Sequence, residues 1–415
     1  MKYSIHTLLT ILILFVACHE KLRPPRDNVT LPDIDISSSA NGIVSLPQTV
    51  PSIVRKTFVK YTKLITPNGK SIHFLAQDGW TEDQIMHARN VMQHILTSYP
   101  GSTYGNDKTG VANSMSDKRA TMVLFNDTDE LEKAFNGGLA DLDHSMQDLR
   151  SNESPAVGDE DYMAHITRDA SYEEIWHLVH DYGIIPTLPD MIKEMRVAND
   201  VAAEKGWYAW PQDEPQEHPN EYMGVLIDNY YDLWVIEPKL YEAHDYEPGP
   251  DGTTHFGSYF ANSRANVETK DLLGYAVIEK FFHPYLTFNV QLPTDFKGTF
   301  SLSLDKSQAY TYKSQYLIDV TLRGSNNANL RGNWLGNNLN GNSGNNIIHG
   351  AGGDDKIDGG GGDDVAVFIG LRDEYEIIKY ENITIVSDVQ SDRDGIDRLS
   401  NIEFIHFSDI KIEMN

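Results

Sequence analysis

The stretch Gly341–Asp364, GNSGNNIIHGAGGDDKIDGGGGDD, decides the architecture of the C-terminal part of this chain. Gly341, Gly350 and Gly359 are nine residues apart, and Gly344, Gly353 and Gly362 repeat the spacing. Asn346, Asp355 and Asp364 hold the same register, as do Leu339, Ile348 and Ile357. A fixed short period marks stacked units, each too small to bury its apolar residue alone. Glycine permits turns with positive φ, and the recurring acid offers oxygen to a hard cation. A glycine-rich disordered linker has no reason to keep three residue classes in phase.

The register resembles the RTX repeat, G-G-x-G-x-D-x-U-x. That resemblance implies an all-β parallel β-roll over residues 322–366 that binds Ca²⁺. Its ligands would be Asn346, Gly350, Gly353, Asp355, Gly359, Gly362 and Asp364. The calcium sites are expected mainly around Gly350–Asp364, because the earlier turns carry Asn327, Ala328, Asn337 and Asn338 where acids would stand. Stacked carboxylates repel without the ion, so folding and calcium binding should be coupled. The tail, residues 367–415, reads as short strands at Tyr375–Lys379, Ile383–Ser387 and Ile402–Phe407. Its run DRDGIDRLSNIEFIHFSD resembles the cap that closes the roll in serralysin-type proteins. The three-histidine site of serralysins is not found in this sequence and is not carried over.

A second informative stretch is Ser171–Gly183, SYEEIWHLVHDYG. At 100° per residue, Glu173, His177 and His180 fall within about 60° of one another on a helix, with Glu174 on the flank. Two imidazoles and a carboxylate on one face can hold a divalent metal, and an adjacent carboxylate can take a proton from bound water. The same spacing also suits a surface helix with a charged edge. The run resembles the H-E-x-x-H helix of zincin metallopeptidases, with Glu174 matching the general base and His177 the second ligand. Glu173 stands where that family has its first histidine, so either Glu173 itself or His180 completes the set. Gluzincins take a further ligand from a glutamate on a later helix, and Asn220–Trp234 resembles the start of that helix with Glu221 in the ligand position. Ser263–Phe282 resembles the closing helix of secreted zincin-like proteins, with Arg264, Asp271, Tyr275 and Glu279 at the matching spacing.

The chain has 415 residues, 61 acidic against 34 basic, a net charge of −27 and one cysteine. Such acidity argues against nucleic acid or anionic membranes as partners and for cations or a salt-adapted surface. Residues 1–18 read as a signal peptide: Lys2, the apolar run Leu8–Ala17, then Cys18 at the position of a lipoprotein's acylated cysteine. Ordinary cleavage after Ala17 is the rival reading. Residues 19–55, with Pro24, Pro25, Pro32, Pro47 and Pro51, read as an extended linker.

Residues 56–300 are expected to be a mixed, zincin-like α+β domain, with connecting strands over residues 301–321. Within it, strands are predicted at Ser71–Gln77, Arg119–Phe125 and Met163–Ile166. Helices are predicted at Trp80–Tyr99, Asp129–Phe135 and Leu188–Glu204, and the aromatic, proline-rich loop Gly206–Asn220 either lines a cleft or packs itself down.

Two functions follow. One is an extracellular or surface-associated calcium-binding protein carrying a Zn²⁺-dependent metallopeptidase or hydrolase, with a peptide or protein as substrate. The other is a calcium-dependent binding or adhesion protein on a zincin-like scaffold without catalysis. Attachment to the outer membrane would be through a lipid on Cys18 alone.

Overall fold

The computed structural model describes residues 29–164, 169–209, 218–233, 259–261, 263–303 and 316–414. The expected signal peptide with Cys18 lies outside the described residues, as does most of the aromatic loop. Among the described residues no helix is long and apolar enough to cross a membrane.

The N-terminal part is mixed α/β. Strands β1 (Val44–Ser45), β2 (Lys60–Ile65), β3 (Ser71–Ala76), β4 (Ala120–Phe125) and β5 (Ser145–Arg150) form one sheet in sequence order. β1, β2 and β3 run antiparallel, whereas β3, β4 and β5 run parallel. β4 (ATMVLF) is buried along its whole length, as a central strand covered on both faces should be. Between β1 and β2 lies helix α1 (Ser52–Thr57), and on the sheet lie α2 (Glu82–Leu96), α3 (Thr109–Asp117) and α4 (Thr128–Asn136).

α2 opens with a reciprocal cap. The Gln84 amide N–H donates to Thr81 Oγ1 at 3.2 Å, and the Thr81 N–H donates to Gln84 Oε1 at 3.0 Å. Its buried face, Ile85, Ala88, Val91, Met92 and Ile95, covers the sheet.

Three expectations are corrected here. The segment from Val29 to Arg55 is packed, not extended: Ile34, Val50 and Val54 join Phe58, Leu75 and Phe125 in a core on the sheet's second face. Apolar residues spaced among the prolines supply enough burial to dock it. Met163 lies in helix α5 (Glu160–Ala164) rather than a strand, started by Asp159, whose Oδ1 accepts from the Tyr162 N–H at 2.8 Å. The strand preceding the metal-helix candidate is β5 instead. Ser263–Phe282 forms two helices, because Asp271 (φ −112°, ψ 67°) breaks the run and caps the second.

The helical layer continues with α6 (Ser171–Val179), a π turn at His180–Ile184, α7 (Ile185–Thr187), α8 (Pro189–Glu204), α9 (His218–Tyr230), α10 (Arg264–Lys270) and α11 (Leu272–Glu279).

The C-terminal part is a roll of two mostly parallel sheets. One runs β14–β15–β16–β12–β10–β8–β6 and the other β18–β17–β13–β11–β9–β7. Its strands are β6 (Leu286–Gln291), β7 (Gly298–Ser301), β8 (Leu317–Thr321), β9 (Ala328–Arg331), β10 (Asn338–Asn340), β11 (Ile347–His349), β12 (Lys356–Asp358), β13 (Val365–Val367), β14 (Tyr375–Lys379), β15 (Thr384–Asp388), β16 (Ile396–Ser400), β17 (Phe404–His406) and β18 (Lys411–Glu413). Leu339 pairs with Ile357 in one sheet and Ile348 with Ala366 in the other, so each coil takes two nine-residue units. Leu339, Ile348, Ile357 and Ala366 are buried between the sheets, one apolar residue per unit. The roll therefore starts at Leu286, earlier than expected, since β6 and β7 are its first strands.

Candidate metal centres

The start of α6 is fixed by a buried pair. Asp169 lies 2.9 Å from His87 Nε2 on α2 and accepts from the Ser171 N–H at 3.1 Å. α6 is apolar round most of its circumference, through Tyr172, Ile175, Trp176, Leu178 and Val179, so it runs through the core. Glu173 and His177 are carried inside with it. α9 crosses α6 and contributes Glu221, buried in its first turn. The next residue, Tyr222, donates to Asp271 Oδ2 at 2.5 Å, and Tyr259 donates to the same oxygen at 2.9 Å. That clamp holds the first turn of α9 in place. Gly224 allows the close crossing: a Cβ there would stand 2.8 Å from Glu173 Cγ.

Glu173, His177 and Glu221 each offer one ligand atom within 4.8 Å of the others. His177 Nε2 is 3.7 Å from Glu221 Oε1. Donors around a tetrahedral zinc with bonds near 2.0–2.2 Å stand roughly 3.3–3.6 Å apart, so the His177–Glu221 pair is already close to that spacing. Imidazole with carboxylates is also a donor set that zinc accepts. Burial, the largest influence on His177, would lower its pKa, yet the carboxylates of Glu221 and Glu174 outweigh it and the imidazole is raised. The cluster thus favours positive charge at its centre, as a proton or as a metal ion. One feature departs from the usual zinc site. His177 Nδ1 has no hydrogen-bond partner among the described residues, where a metal-bound imidazole normally donates its second N–H.

The other residues expected at this site divide. His180 lies at the start of the π turn, with Nδ1 2.7 Å from Asp181 Oδ1 and its ring against Trp176, outside the three-residue set. Glu174 faces the edge strand β5, accepting from Gln147 Nε2 at 2.8 Å. Burial, and then Glu174, pushes neighbouring Asp148 up to about 7. Sequence reading missed Gln147 and Asp148 because SMQDLR has no clean alternation. The only signal for a strand there is the parallel β–α–β spacing after β4 and α4. Arg264 braces the helical layer, its Nε donating to the Tyr230 carbonyl at 2.6 Å and its plane lying on the Tyr316 ring.

In the roll, Asp355 Oδ1 accepts from the Asn337 N–H and Asp364 Oδ1 from the Asn346 N–H, both at 2.7 Å. Their second oxygens, Asp355 Oδ2 and Asp364 Oδ2, are buried with no hydrogen-bond partner. Burial pushes Asp355 up to about 8 and Asp364 up to about 6. A carboxylate oxygen buried in this way is costly unless a cation or proton meets it. Two glycines make the arrangement possible. Asp355 Oδ2 lies 2.0 Å from where a Cβ on Gly350 would be, and Gly353 turns with φ +98° against the Leu335 carbonyl.

Asn346, expected in the calcium set, presents an amide where Asp355 and Asp364 present carboxylates. Its Oδ1 accepts from the Asn342 N–H at 2.9 Å, and its Nδ2 donates to the Ala328 carbonyl at 2.8 Å and to Asn342 Oδ1 at 3.2 Å. Asn337 does the same one coil face away, accepting from the Asn333 N–H at 2.9 Å and donating to Asn333 Oδ1 at 3.1 Å. An amide N–H₂ donates to the kind of oxygen a calcium ion would use, and these hydrogen bonds close both turns.

Comparison with known proteins bears on this part of the chain. Residues 331–366 match the family described as RTX calcium-binding nonapeptide repeat, in four copies. The repeats bind Ca²⁺. Among solved structures, the extracellular lipase LipA from Serratia marcescens is similar at 20% identity over 20% of this chain and 14% of that one, with a TM-score of 0.12. The chain thus spans about a seventh of the lipase, a likeness too slight to carry an argument. No curated protein matches.

Proposed function

We propose that this is an exported calcium-binding protein whose β-roll follows a zincin-like α+β body with a divalent-metal hydrolytic centre. Glu173, His177 and Glu221 are its ligands. The observation that carries the reading is their convergence within 4.8 Å where α6 and α9 cross. A bound zinc ion supplies an acidified water and polarises a carbonyl group. Glu174, steadied by Gln147, is the base that receives a proton, and Asp148, pushed up to about 7, shares the proton load at neutral pH. A second carboxylate ligand in place of an imidazole leaves the centre a weaker Lewis acid than a two-histidine site, so turnover is slow or needs higher pH.

RTX repeat proteins are typically secreted, and the N-terminal hydrophobic run supports export. A lipid on Cys18 would hold the protein at the cell surface, which Cys18→Ser tests by release into the soluble fraction.

Metal analysis of the purified full-length protein tests the centre. About one zinc per chain is expected, lost in His177→Ala and in Glu221→Gln. Glu174→Gln should keep the metal and lose hydrolysis of a peptide library. Absence of bound metal from the wild-type protein would remove the enzyme reading. The calcium-dependent binding or adhesion module then stands, a reading that Glu173 at the first-histidine position and the unbraced His177 Nδ1 both favour.

A further inference from the structure

The nonapeptide match ends at residue 366, yet the coil does not. After β13 the chain leaves the stack, forms the hairpin β14–β15, and returns as β16 beside β12. The returning turn Asp392–Asp397 lies on the turn Gly350–Asp355 as that turn lies on Gly332–Asn337. The hydrogen bonds show the same pattern. The Asn337 N–H donates to Asp355 Oδ1 at 2.7 Å across eighteen residues, and the Asp355 N–H donates to Asp397 Oδ1 at 3.0 Å across forty-two. One strand position further, Lys356 N–H donates to the Asn337 carbonyl and Arg398 N–H to the Asp355 carbonyl, each at 2.8 Å. Gly395, at φ +76°, stands over Gly353, where a Cβ would come within 1.9 Å of the Gly353 carbonyl oxygen.

Acidic residues at a turn would mean little alone. Here two carboxylate oxygens on buried side chains have no hydrogen-bond partner: Asp355 Oδ2 and Asp394 Oδ1, on residues each 1% exposed. Both flank the same short piece of chain. Asp355 Oδ2 lies against Gly350, and Asp394 Oδ1 is 3.8 Å from Nε2 of His349, too far for a hydrogen bond. Asp394 is aimed by its other oxygen, which accepts from the Ile369 N–H at 2.9 Å and from the Tyr375 hydroxyl. We infer that the turns Gly350–Asp355 and Asp392–Asp397 hold a calcium ion between them, with Asp355, Asp394 and Asp397 as its carboxylate ligands. Calcium takes six to eight oxygens at 2.3–2.6 Å, so turn carbonyls complete the shell. The ion bridges segments forty-two residues apart and fastens the terminal cap, hairpin included, onto the last repeat.

Asp394→Asn and Asp397→Asn in the full-length protein test this, since an amide oxygen can still accept from the Ile369 or Asp355 N–H. Bound calcium is counted by equilibrium dialysis, and hydrogen exchange is followed at residues 392–397 with and without the ion. Each variant should lose one ion from the count, or bind one at least about tenfold more weakly, and calcium should no longer slow exchange at 392–397. Asp364→Asn, on the other side of the roll, should lower the count while keeping that slowing. Wild-type count and affinity in Asp394→Asn would overturn the inference. Should Asp397→Asn fail to fold, Asp394→Asn alone decides, because the Asp394 carboxylate accepts from Ile369 and Tyr375 rather than from the Asn337–Asp355–Asp397 ladder.

Discussion

Replacing Gly224 with alanine sets two calculable effects against each other. In a helix interior alanine is favoured over glycine by about 1 kcal/mol. The added Cβ, however, would stand 2.8 Å from Glu173 Cγ and 3.6 Å from its Cβ and Cδ. Carbon atoms rest at roughly 3.5–4.0 Å, so Cγ must move by close to 1 Å. Overpacking of that size costs about 1–3 kcal/mol, which leaves Gly224→Ala from neutral to about 2 kcal/mol less stable without metal. The proposed metal centre should feel it more. Ligand distances tolerate about 0.2 Å, so a carboxylate displaced by several times that should lower zinc affinity about 10- to 100-fold. Thermal melts in chelator and a competitive zinc titration measure the two effects separately. A variant stabilised by about 1 kcal/mol with unchanged zinc binding would refute the reasoning, since neither the contact nor Glu173's role as ligand would then hold.

Other outcomes follow from the same structure. Burial pushes Asp355 up to about 8 and Asp397 up to about 9, against 3.8 for a free side chain. Because the unfolded chain sheds these protons near pH 4 and the folded one keeps them, the metal-free roll should lose stability as pH rises from about 4 to 9. Calcium, which takes the ionised forms, should reverse that slope in hydrogen-exchange protection of residues 346–400. Asn337→Asp replaces a donor to Asn333 Oδ1 with a charge. It should cost about 1–3 kcal/mol in chelator by denaturant melts, with part of the loss recovered on adding calcium. His87→Ala removes one partner of buried Asp169 and should loosen the start of α6. A fall of about 1–3 kcal/mol is expected, with weaker zinc binding as a secondary effect seen by the same titration.

The sequence made the roll legible because its signal is a period, which tertiary context cannot disguise. Leu339, Ile348 and Ile357 are buried where the period puts them. What the period hid was where the roll begins and resumes. β6 and β7 precede the glycine pattern, and β16 returns only after a hairpin insertion, so pairing forty-two residues apart leaves no local trace. In the α/β part, Glu173 and His177 could be placed together because four residues is a helix turn, while Glu221 required the resemblance. Gly224 and β5 were illegible. A glycine in a helix announces nothing until the element packed against it is known, and an edge strand half-buried along both faces need not alternate. Spacing also could not tell His180 from Glu173, since both share the stripe, and the π turn with Asp181 separates them.

The asparagine ladder beneath the calcium turns has a consequence for how the chain reaches its final form. Turns at Asn333–Asn337 and Asn342–Asn346 close on their own amides, so the first coils are a ready-made template that demands no ion. In a solenoid each coil needs only its neighbour, and the slow event is making the first one. Here that event should need no calcium, and only the growth that follows should depend on it. A chain moving from a calcium-poor interior to a calcium-rich exterior would therefore carry its seed with it and finish from the template outward. Calcium would set how far the stack extends rather than whether it starts.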